Sequence, residues 1–315
     1  MKNVLILGSS GFIGSELSLV LVRNGFKVYG LTRRQESADQ LIRNEIIPIV
    51  ADVREIEKWL PIALKVDIIV EAIADLTDHR TPFIIQEALL KVYNEKPNTI
   101  FIYTSGVVVY GDIKNNNNNN GTNDESTPYF SHKFIDWRIK IEKTYKEILG
   151  AIIIQPTFLY GKDQSVASYY FEAATKSKDS IKIYGDENCV KGFIHIFDLV
   201  NFYQLVIKNA LQLKGQTLIA NSYNEKIKDV VTCIASFSGN LSNKPIEYLS
   251  KLENSFFTEF LTYNQNVSSS KAISLIGYYP LQPSLTDGIE RYYNSWLLSR
   301  DKNTAFSKLI GTVLP

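Results

Sequence analysis

Gly8, Gly11 and Gly14, in the run Gly8-Ser9-Ser10-Gly11-Phe12-Ile13-Gly14, have the spacing that lets main chain approach an anion. A side chain here would hold the backbone away from a pyrophosphate. A helix starting here would offer that group unpaired N–H donors and a partial positive charge. Arg33 and Arg34 follow the next apolar run, where the ribose of a bound adenosine would lie. A carboxylate at this point would accept the ribose hydroxyls of NAD, and the first acid here is Glu36. Two planar, permanently charged guanidiniums suit a 2′-phosphate, so NADP is expected ahead of NAD. The plain alternative is a solvated basic loop.

These residues need rigid elements to hold them. Residues 4–7 form an unbroken apolar run of β-forming residues, as a strand covered on both faces requires. Leu17, Val20 and Leu21 then recur at helical spacing, Gly25 is placed to stop that helix, and residues 27–31 read as a second strand. Further strands are expected at 46–50, 67–72, 99–104 and 151–154, with helices at 56–64, 81–93 and 129–148 between them. Alternation of this kind implies an α/β fold, a doubly wound parallel sheet. Its ligands bind beyond the carboxyl ends of the strands. Beyond Pro156 the alternation loosens, with helices at 166–175, 198–208, 227–237, 268–276 and 286–296 and short strands at 193–196, 217–220 and 245–248. The expected organisation is a dinucleotide-binding domain over 1–160, with segments near 190–221 returning to it. A smaller substrate lobe over 161–300 and a tail over 301–315 complete it.

Composition narrows the class. A chain of 315 residues, 45% hydrophobic, can bury a large core, and a net charge of +1 gives no general pull toward nucleic acid or anionic lipid. Cys189 and Cys233 are too few for a disulfide framework, and no Cys/His cluster has metal-ligand spacing. No apolar run approaches the ~18 residues of a membrane span. The expectation is a cytoplasmic monomer or homodimer whose partner is a small-molecule substrate, with no nucleic acid, membrane or metal involved. The asparagine run at 115–120 reads as a surface insertion, because it lacks apolar surface to offset the entropy of ordering.

The glycine spacing with Phe12-Ile13 resembles the extended short-chain dehydrogenase/reductase family, and later motifs extend the resemblance from Lys2 to about Leu298. That resemblance implies a Rossmann fold with a smaller C-terminal substrate lobe. It puts Gly8, Ser10, Gly11, Phe12, Ile13 and Gly14 at the cofactor's pyrophosphate, and Asp52 with Val53 at the adenine. Ala72, Ile73 and Ala74 would let backbone approach the cofactor, although Glu71 stands where the family often has histidine. Thr104, Pro156 and Phe158 enter the cofactor site on the same grounds. Thr104 and Ser105 are the hydroxyls available to polarise a substrate oxygen, since the usual hydroxyl position holds Gly106.

Two registers are open for the proton-exchange pair. Tyr129 and Lys133 have the family's Tyr-x-x-x-Lys spacing and follow Thr127-Pro128. In such a pair the lysine favours the phenolate and the phenol moves a proton. In the other register, Trp137-Arg138 with Glu142 resembles an atypical branch, and Phe134 and Arg138 take the tyrosine and lysine places. Phenylalanine cannot carry a proton. Lys191 replaces an arginine that often meets a sugar nucleotide's diphosphate, His195 reads as structural, and Asp198 as the cap of the following helix. The resemblance implies an oxidoreductase or epimerase/dehydratase acting on a hydroxyl or carbonyl of a small metabolite, nucleotide sugars among them. The competing expectation is a dinucleotide-binding sensor or partner subunit without turnover.

Overall fold

A computed structural model describes residues 2–73, 75, 78, 80–113, 121–162, 165–176, 179–238, 244–300 and 304–314. Ala74 of the expected cofactor loop and the asparagine run at 115–120 lie outside the described residues. In chain order the first elements are β1 (Asn3–Leu7), α1 (Phe12–Arg23), β2 (Lys27–Thr32), α2 (Gln35–Arg43), β3 (Ile47–Val50) and α3 (Ile56–Ala63). They are followed by β4 (Ile68–Glu71), α4 (Thr81–Glu95), β5 (Ile100–Thr104), α5 (Asp136–Glu147), β6 (Ile152–Pro156) and β7 (Phe158–Tyr160). Next come α6 (Ser168–Lys176), β8 (Ile181–Tyr184), β9 (Val190–His195), α7 (Ile196–Lys208), β10 (Thr217–Ala220) and β11 (Tyr223–Lys226). The last are α8 (Ile227–Phe237), β12 (Ile246–Leu249), α9 (Phe256–Thr262), α10 (Ser270–Ile276), α11 (Ile289–Ser299) and α12 (Ala305–Val313).

The chain divides into two compact units. The first comprises Met1–Gly106, Ile135–Gln155 and Val200–Leu218, and the second Val107–Phe134, Pro156–Leu199 and Ile219–Pro315. The main sheet has the strand order β10-β6-β5-β4-β1-β2-β3. The pairs β1 with β2, β1 with β4, β2 with β3, β4 with β5 and β5 with β6 are all parallel. The order in which strands are added reverses between β1 and β4, the crevice where ligands of such sheets bind. Val4 to Leu7 and Ile152 to Ile154 are fully buried, which explains why these strands are apolar throughout instead of alternating. Leu5, Leu7, Trp59, Val92, Phe101, Tyr145 and Ile153 belong to one core cluster of this unit.

The second unit has its own core, in which Phe158, Tyr160, Tyr170, Phe171, Phe193, Ile234, Tyr292 and Trp296 pack together. Its strands form β11-β9-β7 and β12-β8. Several expectations change here. Helix α12 forms where no pattern was legible; Thr304 caps it by accepting from the Ser307 amide at 3.1 Å, and Ile310 and Val313 are buried. Helix α7 begins at Ile196, so Asp198 lies inside it and is not its cap. Among the described residues no helix is long and apolar enough to cross a membrane.

Candidate active site

The loop after β1 is as tight as its glycines imply. Gly8 has φ +91°, a conformation that side chains rarely adopt. A Cβ on Gly14 would stand 2.1 Å from the Gly8 carbonyl oxygen, so α1 can seat against the end of β1 only without one. Gly11 sits at the N-cap of α1, donates to the Gly8 carbonyl at 2.9 Å, and brings no capping side chain. There is also no acid in the first turn. The positive end of α1 is therefore left for an anion from outside the helix, and the residues present fit a dinucleotide pyrophosphate. Ser10 accepts from the Thr32 hydroxyl at 3.0 Å, which ties this loop to the end of β2. Ala72 is held by its amide to the Leu7 carbonyl at 3.0 Å, and its own carbonyl closes against Gly8.

Beyond β2, Arg33 and Arg34 are exposed and free of any acid on their own loop. Asp52 is gripped by both arms of Arg54, at 2.7 and 3.0 Å, and this hydrogen bonding, with help from the nearby Arg33 charge, holds its carboxyl down at about 2. An adenine amino group reaching Asp52 would have to share it with that guanidinium. Val53 is buried and its carbonyl accepts from the Trp59 indole at 2.8 Å.

The carboxyl ends of β4, β5 and β6 carry a network of polar side chains fed by α5. Arg138, Glu142 and Tyr145 lie at i, i+4 and i+7 on that helix, hence on one face. Glu71, at the end of β4, is 2% exposed and accepts from the Tyr145 hydroxyl at 2.6 Å. Burial pushes its carboxyl up to about 7, against the lowering effects of Tyr145 and of Arg138. Glu142, also 2% exposed, accepts from the Ser105 hydroxyl and from the Gln155 amide, at 3.0 Å to Oε2 and 3.3 Å to Oε1. A buried carboxylate without such partners would cost several kcal/mol, so these three side chains hold one another in place. Ser105 is the partly exposed member, and its amide is fixed to the Ile154 carbonyl at 2.8 Å. The Thr104 hydroxyl is engaged by Tyr203 of α7, and that of Ser105 by Glu142.

Residues 129–135 depart from expectation. The helix expected over 129–148 runs only from Asp136 to Glu147, so Tyr129 and Lys133 do not share a helical face. The Phe130 amide instead donates to the Val109 carbonyl at 2.7 Å. The Tyr129 ring meets Tyr110 edge-on at 5.5 Å, and exposed Lys133 places its ammonium 5.1 Å from the Phe134 ring. Phe134 stacks in turn with His132 at 5.6 Å. Arg138 is on α5 with its guanidinium 4.7 Å from the Trp137 ring. Pro156 ends β6, and Phe158 is buried in the second unit's core, 4.8 Å from Phe260.

Three more residues of the second unit have structural duties. Lys191 is fully buried, donates to the carbonyls of Phe260 (2.8 Å) and Tyr263, and lies 5.0 Å from the Phe158 ring. Burial pushes its ammonium down to about 8. His195, pushed down to about 3 by burial, accepts at Nδ1 from the Phe197 amide at 3.1 Å. Asp198 accepts from the amides of Leu281 (2.9 Å) and Gln282 (3.2 Å). Tyr145 and Tyr203 were not singled out by motif. The signal for Tyr145 was available, as the third polar residue of the Arg138–Glu142 stripe on a helix whose other buried positions are apolar.

Fold and loop together define a dinucleotide-binding protein of the Rossmann class. Comparison with known proteins carries this further. The model of the NAD dependent epimerase/dehydratase family matches residues 4–220, and the chain belongs to that family of enzymes. It is 27% identical over 193 residues to a decarboxylating sterol-4-alpha-carboxylate 3-dehydrogenase of Dictyostelium discoideum, a match covering 54% of this chain and only 57% of that protein. It is 22% identical over 325 aligned positions to a UDP-glucose 4-epimerase of Halalkalibacterium halodurans, covering 92% of this chain and 94% of that one. Among solved structures, the dTDP-glucose 4,6-dehydratase of Bacillus anthracis in complex with NAD has TM-score 0.76 at 18% identity, over 98% of this chain and 100% of that chain. The UDP-glucuronic acid 4-epimerase of Bacillus cereus, with UDP-glucuronic acid and NAD, has TM-score 0.75 at 18% identity, over 93% and 98%. At such identity the likeness is one of fold.

Proposed function

We propose that this chain uses a nicotinamide dinucleotide to oxidise or reduce a carbon bearing a hydroxyl or carbonyl in a small, sugar-like metabolite. The observation that carries the reading is the uncapped, acid-free N-terminus of α1 over a glycine turn that admits no Cβ. The dinucleotide, when bound, supplies the hydride acceptor or donor. The chain's residues bind and orient: α1 holds the pyrophosphate, Arg33 and Arg34 the 2′-phosphate of NADP, and Ser105 the reacting oxygen. The two solved neighbours named above hold NAD, so the preference for NADP rests on the two arginines alone. Tyr129, with Lys133, enters as the candidate for proton exchange from the sequence. The buried ammonium of Lys191 is committed to two carbonyls, which favours a substrate without a nucleoside diphosphate.

A second reading, a dinucleotide binder without turnover, draws support from the loss of a shared helical face for Tyr129 and Lys133. One experiment addresses cofactor and turnover together. Purified protein is melted with NADPH or NADH, then offered free aldoses, uronic acids and their nucleoside-diphosphate forms while nicotinamide absorbance is followed. NADPH at 100 times its dissociation constant should stabilise the protein by about 2.7 kcal/mol. Arg33→Glu with Arg34→Glu should shrink that shift and leave the NADH shift nearly unchanged. Equal shifts for both cofactors in the parent protein would remove the NADP preference. Binding without turnover of any compound would favour the second reading.

A further inference from the structure

Glu142 is held by side chains from two strands of the main sheet. Its carboxylate is buried on α5 and accepts from two side chains, the hydroxyl of Ser105 at the end of β5 and the amide of Gln155 on β6. Gln155 is fully buried and grips both carboxylate oxygens, so the carboxylate is fixed in orientation. Ser105 alone of the three is partly exposed, at the strand end where ligands of parallel sheets bind. A hydroxyl whose proton points into a fixed carboxylate presents its lone pairs outward, toward whatever approaches that edge. A group needed only to fill space between α5 and the sheet would be satisfied as well by an apolar side chain.

We propose that Glu142 is the positioning residue for Ser105 and the acceptor of its proton. This rests on the reading that Ser105 touches the reacting oxygen. When an alcohol is oxidised, the substrate O–H proton passes to Ser105 Oγ as the Ser105 proton passes to Glu142 Oε1. The hydride on the same carbon leaves to the oxidised dinucleotide. In reduction each transfer runs backward. The arrangement supplies a proton path inside the first unit that does not use Tyr129.

The test is Glu142→Gln, which keeps the size and can still accept from Ser105, while Gln155 can turn its amide to match; only the capacity to take a proton is lost. In the cofactor-free protein, carbon-13 spectra of labelled glutamate, with the Glu142 signal identified by its absence in E142Q, should show an ionised carboxylate at pH 7. Ser105→Ala should raise the pH at which it titrates. A protonated Glu142 at neutral pH would overturn the proposal, because it would then be the donor. With the sugar that turns over fastest, E142Q should lower kcat by about a hundredfold or more, leave KM within about twofold, and remove the acid limb of the pH profile. Ser105→Thr, which keeps the hydroxyl, should retain turnover, and S105A combined with E142Q should be no slower than S105A. Full activity and an unchanged pH profile in E142Q, with S105A inactive, would make Glu142 a packing residue and leave the proposed function intact. If no compound is turned over by the parent protein, the functional reading fails, and the spectra still decide the charge and coupling of Glu142.

Discussion

The two units bury polar groups in different ways. In the second, three buried or half-buried charged side chains reach main-chain atoms of distant segments. Lys191 reaches the carbonyls of Phe260 and Tyr263, Asp198 the amides of Leu281 and Gln282, and Glu225 the amides of Leu285 and Thr286. In the first unit two buried carboxylates accept from other side chains: Glu71 from Tyr145, Glu142 from Ser105 and Gln155. A side chain tied to loop backbone holds a loop in place, and nothing about it needs to change during a reaction. A pair of side chains at a ligand-binding edge can exchange a proton or be disturbed by one substitution. For these residues the contrast is between side chains that hold loops and side chains that hold one another.

Removing the ammonium of Lys191 should have the largest effect. Lys191→Met would remove two charge-assisted hydrogen bonds, each contributing about 1.5–3 kcal/mol, so the urea midpoint should fall by the equivalent of about 4 kcal/mol. Dinucleotide affinity per folded molecule should be unchanged. Loss of affinity without loss of stability would break the contrast, since Lys191 would then serve a ligand.

Glu71 should give a smaller change of opposite sign. The unfolded chain releases this proton near 4.5, the native state near 7. Between these values the native state binds the extra proton, so the contribution is fully present at and below the lower value and is lost as pH rises through 7. At pH 8 the buried charge costs roughly 3 kcal/mol, converting the separation at about 1.4 kcal/mol per unit. Glu71→Gln should therefore raise the midpoint at pH 8 and change it little at pH 4.5. A midpoint that is equally altered at both pH values would mean that the carboxyl does not titrate in this window.

The parts of this molecule that were legible in sequence are those governed by local chemistry. Gly8, Gly11 and Gly14 announce a tight turn because only glycine fits there, and the apolar runs of β1, β4, β5 and β6 announce strands covered on both faces. The start of α5 was not legible. Its helical spacing extends back to Tyr129, but the Phe130 amide bonds to Val109, and Gly111 leaves space that the Phe130 ring fills: a Cβ there would lie 2.6 Å from it. Those contacts are distant in sequence and outweigh the local pattern. Asp198 has the residue type of a helix cap, and its true partners lie on a loop over eighty residues away. The Glu142 network was half legible, since Glu142 stands in the Trp137-Arg138 match to an atypical branch and Ser105 in the hydroxyl segment, while their meeting depends on the packing of α5 across β5 and β6.

The most direct test of the central claim, that the first unit is a nicotinamide dinucleotide site, is a calorimetric titration of the purified protein with NADPH and with NADH. The account requires saturable binding of one dinucleotide per chain, tighter for NADPH, with a matching rise in melting temperature. No heat and no melting shift with either dinucleotide at millimolar concentration would contradict it.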